Sequence, residues 1–79
     1  FINSKMRIDA IGYQTYQVTV FEVKPNASSS AIGQAISYAT LFAKEYNPPQ
    51  KVIPAIVTDA SVPDTRNLTR QFGVMYFRV

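Results

Sequence analysis

The chain has no cysteine, no histidine and no tryptophan, only three glycines, and charged residues fill just 16% of its 79 positions. Without cysteine there is no disulfide framework and no thiol nucleophile. Without histidine as well, zinc fingers and Ser-His-Asp triads are excluded. Any catalysis must therefore run on carboxylates, lysine, tyrosine or a hard metal ion held by oxygen. Long apolar runs are missing too: the longest is Val74-Met75-Tyr76-Phe77, against the roughly 20 residues a membrane span needs. No basic segment followed by an apolar stretch marks the chain for secretion. The expectation is a soluble, intracellular (cytoplasmic) protein with no membrane partner. The sequence begins at Phe1 rather than Met, which suggests a piece of something longer.

What is present suffices for a core. Apolar residues make up 47% of the chain and aromatics 13%, so wholesale disorder is not expected. The length allows one small domain. A chain of this size buries only about 60% of its unfolded surface, so its stability should be marginal. Eight Lys and Arg against five Asp and Glu leave a net charge of +3, a small and unclustered excess that agrees with a nucleic-acid partner without establishing one.

The hydrophobic pattern changes period along the chain. Arg7 to Gly12 and Gln17 to Lys24 read as two strands of an antiparallel hairpin around Tyr13-Gln14-Thr15-Tyr16. In the second strand Val18, Val20, Glu22 and Lys24 share one face, because strand side chains alternate. Ser28-Ser29-Ser30 offers N-caps for a helix to about Tyr46, whose apolar positions Ile32, Ala35, Ile36, Ala39, Phe42, Ala43 and Tyr46 form a continuous helical stripe. Asn47-Pro48-Pro49 ends it. Lys51 to Asp59 is apolar on both faces, as a strand covered by helices on both sides would be, although Pro54 points to a strand end, an edge or a bulge. Ser61-Val62-Pro63-Asp64 opens a short helix to about Phe72, Gly73 closes it, and Val74 to Val79 is a last strand. The reading is an α/β domain of order β-β-α-β-α-β, with a small mixed sheet flanked by two helices.

With so few acidic residues, their positions are informative. Glu22 and Lys24, two apart on one strand face, have Cα atoms about 6.5–7 Å apart. If Tyr13 to Tyr16 form the loop, Gly12 faces Gln17, Asp9 faces Val20, and Asp9 is the diagonal neighbour of Glu22 on the same face. A slip of one residue would send Asp9 to the other face. Two carboxylates and a backbone carbonyl suit Mg²⁺, which keeps several waters and binds phosphate oxygens. A lysine beside them can help activate water or neutralise charge developing on a phosphate. The plainer alternative is a solvated Glu22–Lys24 ion pair, worth at most about 1 kcal/mol.

Ile8-Asp9, then Phe21-Glu22-Val23-Lys24 at the end of a hairpin, then a helix carrying Gly33-Gln34-Ala35-Ile36-Ser37-Tyr38-Ala39, resembles the PD-(D/E)XK nuclease superfamily. Asp9, Glu22 and Lys24 match its D…ExK signature, and Gln34 and Tyr38 match the Q-x-x-x-Y motif of its RecB-like members. The resemblance covers roughly residues 7 to 79 and implies a restriction-endonuclease-like core. It implies a Mg²⁺-dependent DNA nuclease, with Mn²⁺ as a substitute, in which Asp9 and Glu22 are metal ligands, the Val23 carbonyl is a third, and Lys24 positions or activates water. Gln34 and Tyr38 would support the site from the following helix. The sequence departs from the family in having only Phe1 to Met6 ahead of Arg7. Residues 1–79 then form a single nuclease-like domain without the family's usual N-terminal helix and first strand. The alternative is a non-catalytic nucleic-acid-binding or structural module with the same fold.

Two further features bear on partners. Arg66 and Arg70 sit four apart on the second helix, on the side away from Val62, Leu68 and Phe72. They are candidates to grip DNA phosphates, although such a pair also suits a plain solvated face. Exposed strand edges give a small domain reason to associate, so a homo-oligomer or a partner domain is compatible with the sequence.

Overall fold

The structure, a computed structural model, describes residues 8–25, 27, 29–59 and 63–79. Six elements follow one another: β1 (Ala10–Tyr13), β2 (Gln17–Val23), α1 (Ser29–Tyr46), β3 (Lys51–Thr58), α2 (Pro63–Gln71) and β4 (Met75–Arg78). They form one four-stranded sheet of order β1-β2-β3-β4, antiparallel between β1 and β2 and parallel thereafter. The expected element order and mixed sheet are both present. Arg7, Ser28, Ser61 and Val62, expected at the start of a strand and at the helix caps, lie outside the described residues.

The hairpin register differs from the expectation by two residues. Gly12 faces Thr19 and Tyr13 faces Val18, while the Gln14 N–H donates to the Gln17 carbonyl at 2.8 Å. Only Thr15 and Tyr16 therefore make the tip. Neither residue is Gly, Asn or Asp, so the usual composition cue for a tight hairpin is missing. A shift of two preserves the face of every side chain. Continued by one pair, the observed register places Asp9 directly opposite Glu22 rather than diagonal to it.

Both crossovers step the same way across the sheet, and right-handed connections then stack both helices on one face. Accordingly α1 packs on β2 and β3, and α2 on β4 and α1. Val18 and Val20 pack with Ala39 and Phe42. Ile56 packs with Ala27, Ala31, Ile32, Ala35 and Val74, and Leu68 of α2 abuts that cluster. The expectation that β3 is helix-covered on both sides is thus corrected, because among the described residues no helix lies on the other face. There the Phe21 and Phe77 rings meet at 6.1 Å. A Cβ on Gly12 would lie only 3.2 Å from the Phe21 ring.

Pro54 lies inside β3, between β2 and β4. Its tolerance follows from strand geometry. The Val57 carbonyl accepts from Lys24 N–H on the β2 side and the Thr58 carbonyl from Val79 N–H on the β4 side, so even-numbered β3 residues turn their backbone groups toward β4. The β3–β4 ladder begins only at Ala55 opposite Met75. The donor that Pro54 lacks would point to where β4 has not yet begun, so the local environment is that of an edge.

Both helices end on left-handed residues. Asn47 (φ 43°) follows α1, and its N–H reaches the Ala43 carbonyl at 2.9 Å. Gly73 (φ 70°) follows α2, and Val74 N–H bonds the Thr69 carbonyl at 2.8 Å. These are an αL cap and a Schellman closure. The α2 packing differs from its hydropathy pattern: Thr65 and Thr69 are buried, while Phe72 is 57% exposed. The Thr69 hydroxyl donates to the Arg66 carbonyl at 2.6 Å, so its burial leaves no donor unmatched.

Candidate active site

At its carboxyl end β2 changes from apolar to polar on the helix-covered face. Val18 and Val20 are sealed under Ala39 and Phe42, whereas Glu22, on the same face, is followed by the last strand residue and then by Lys24. The chain leaving the strand is pinned there. The Thr58 hydroxyl donates to the Pro25 carbonyl at 3.0 Å and accepts the Ala27 N–H at 3.4 Å. These two bonds anchor Pro25 and Ala27, on the way to α1, to the carboxyl end of β3.

Asp9, Glu22, Val23, Lys24, Gln34 and Tyr38 line one open cavity of about 340 Å³. Asp9 comes from the segment entering β1, Glu22 and Val23 from β2, and Gln34 and Tyr38 from successive turns of α1, where positions four apart share a face. The structure thus gathers every residue of the D…ExK and Q-x-x-x-Y patterns around one space.

Each carboxylate is held differently. Asp9 is exposed and its Oδ2 accepts the Val23 backbone N–H at 2.8 Å. That bond ties the two strands together beyond the last ladder pair and fixes where the carboxylate sits. In an extended chain a residue's N–H and C=O point to the same side, so the Val23 carbonyl also opens toward Asp9. Glu22 is only 4% exposed, and its Oε2 lies 3.6 Å from the Lys24 ammonium, whose side chain is 44% exposed. The solvated ion pair considered from sequence is therefore corrected: the carboxylate is nearly buried at the cavity wall, and the lysine is the partner half in solvent. Removing the cation beside a buried carboxylate costs more than breaking a surface pair, because the charge then stays out of water with one partner fewer.

Among the described residues no three Asp, Glu, His or Cys side chains cluster as metal ligands. The donor set here is two carboxylates and one backbone carbonyl. It fits Mg²⁺, which commonly takes one or two carboxylates and completes its shell with water and phosphate oxygens. It would not fit a structural zinc site, which needs four N or S donors.

Arg66 and Arg70 are not part of this cleft. With Thr69, Val74 and Tyr76 they line a separate cavity of about 330 Å³ between α2 and β4. Sequence reasoning set them opposite the apolar side of α2. In the structure they flank its buried Thr65–Thr69 side, and the Arg66 guanidinium lies 5.3 Å from the centre of the Tyr76 ring. Tyr76 was not singled out from sequence, yet strand alternation in Met75-Tyr76-Phe77 separates it from its two apolar neighbours. Tyr13 and Tyr16, 66% and 86% exposed at the hairpin tip, sit at the opposite end of β2 from the cleft. No helix among the described residues is long and apolar enough to cross a membrane. No protein-family model, curated protein or solved structure matches this chain.

Proposed function

We propose that the chain is a Mg²⁺-dependent DNA nuclease that hydrolyses phosphodiester bonds in the cleft of Asp9, Glu22 and Lys24. The observation that carries this reading is the convergence of six residues, drawn from positions 9 to 38, on one polar cavity. Asp9, Glu22 and the Val23 carbonyl would hold the ion. When bound, Mg²⁺ supplies Lewis-acid stabilisation of the phosphate and lowers the pKa of a bound water.

The chain's own groups divide the remaining work. The Val23 N–H orients Asp9 so that its other oxygen is free of that bond. The Glu22 carboxylate is buried, so it is desolvated before any substrate arrives. Lys24, half in solvent, can turn its ammonium from Glu22 toward a phosphate oxygen and offset charge as it develops. Gln34 and Tyr38, one turn apart on α1, bring an amide and a phenol to the cavity wall. Both are able to hydrogen-bond a nucleotide or its ordered water.

A second reading draws on the ion pair itself. With Lys24 beside Glu22 and Asp9 bonded to the Val23 N–H, each carboxylate of the cleft has a partner within the chain, as suits a non-catalytic nucleic-acid-binding or structural module.

Incubation with labelled single-stranded, duplex and branched DNA in Mg²⁺, Mn²⁺ or EDTA separates the two. Cleavage is expected with either metal and not in EDTA. Glu22→Gln and Lys24→Ala should abolish it, whereas Gln34→Ala and Tyr38→Phe should slow it. No cleavage by a folded wild-type chain under any of these conditions would sink the nuclease reading and favour the module.

A further inference from the structure

The parallel register sets Glu22 opposite Ile56 and Ile56 opposite Tyr76. Residues paired across a sheet project to the same face, so Asp9, Glu22, Ile56 and Tyr76 form one row on the helix-covered side. Ile56 is fully buried beneath the helices. The two ends of the row remain open: the carboxylate cleft at β1 and β2, and the arginine cavity at β4. They lie two strand spacings apart, about 10 Å from Glu22 to Tyr76.

The second opening has the chemistry of an anion site. Arg66 and Arg70 are both exposed and line a cavity of about 330 Å³. The Arg66 guanidinium carbon lies over the Tyr76 ring at 5.3 Å from its centroid, a cation–π approach that places the cation at the cavity wall. Arg78, exposed and on the same face of β4 as Tyr76, is a third cation on that side of the sheet, outside the cavity lining. Among the described residues none of the three is in an ion pair with a carboxylate. The nearest acid in sequence, Asp64, sits two residues before Arg66 and outside the cavity.

We infer that the Arg66–Arg70–Tyr76 cavity is a second, metal-independent station that grips the backbone phosphates of the nucleic acid whose scissile bond lies in the Asp9–Glu22 cleft. The choice of nucleic acid as the anion rests on the nuclease reading; the anion site itself rests on the arginines. A B-form strand rises about 3.4 Å per nucleotide, so about three nucleotides bridge the two openings. Non-sequence-specific contacts of this kind position a substrate without reading it.

The test is binding of a fluorescent DNA duplex in EDTA, followed by anisotropy over a range of salt concentrations. Arg66→Gln/Arg70→Gln is compared with Lys44→Gln/Lys51→Gln, which removes the same charge from the far end of the sheet. Each lost phosphate contact lowers the slope of log Kobs against log salt by about 0.9, so the arginine variant should lose about 1.8 and the lysine variant nothing. All four positions are exposed, and unchanged circular dichroism would show that folding is intact. Equal losses in both variants would reduce the effect to net charge and overturn the inference, as would a wild-type chain that binds no DNA in EDTA. Inorganic phosphate at matched ionic strength should displace DNA no better than chloride; selective displacement would assign the cavity to a small anion instead. DNA held through the arginines but never cut in Mg²⁺ would refute the nuclease and leave this station standing. Cutting with an unchanged salt slope in the arginine variant would do the reverse.

Discussion

Strand β2 has two ends on its helix-covered face, and they are built oppositely. At the amino end Val18 and Val20 are enclosed by Ala39 and Phe42 with almost no exposure. At the carboxyl end the next residue on the face is Glu22, and α1 meets it with Gln34 and Tyr38 around an open space. The same strand and the same helix make both. What differs is the side chain placed at each turn, and the result is a closed apolar anchor beside an open polar cleft. A small domain with marginal stability can keep a buried carboxylate when well-packed neighbours one and two pairs away hold the backbone.

The comparison breaks most visibly at the anchor. Phe42→Ala removes a side chain that is 2% exposed and in contact with Tyr46 at 4.9 Å between ring centres. The expected loss is about 3–5 kcal/mol, enough to unfold much of a domain this small, and a urea titration followed by circular dichroism reads it. Lys24→Ala acts at the other end. It leaves buried Glu22 without its cation, and the expected loss is about 1–2 kcal/mol, moderated because the lysine is itself half in solvent. Glu22→Gln removes the charge that needed a partner, so stability should change by less than about 1 kcal/mol in either direction. If Lys24→Ala proved no more costly than Glu22→Gln in the same titration, the carboxyl end would behave as ordinary solvated surface and the contrast between the ends would fail.

Much of this arrangement was legible in the sequence. Helix α1 follows from its apolar stripe and from the Asn47-Pro48-Pro49 stop, and β2 from its alternation. The meeting of Asp9 and Glu22 on one face needs the hairpin register to be right only to within an even number of residues, which explains why it survives a two-residue change. The register itself was not legible, because Thr15-Tyr16 carries no turn signature. Helix α2 was legible as an element but not in its packing. The residues it buries are threonines, whose hydroxyls need a backbone acceptor before they can enter a core, and that acceptor is visible only once the helix exists. The cavity at Arg66 and Tyr76 depends on how β4 registers against β3, a pairing separated by a whole crossover. A reading of local periodicity could place Arg66 and Arg70 on one helix face but could not name the strand residue beside them.

At the centre of the account is the claim that Asp9 and Glu22 share one cation. Iron(II), bound in place of Mg²⁺ and driven with ascorbate and peroxide, releases hydroxyl radicals that cut the backbone beside the ion. The account predicts two sets of fragments from the wild-type chain, one ending near Asp9 and one near residues 22–24, both suppressed by excess Mg²⁺ and both lost in Glu22→Gln. Cuts at only one of the two positions, or cuts that persist in Glu22→Gln, would contradict it.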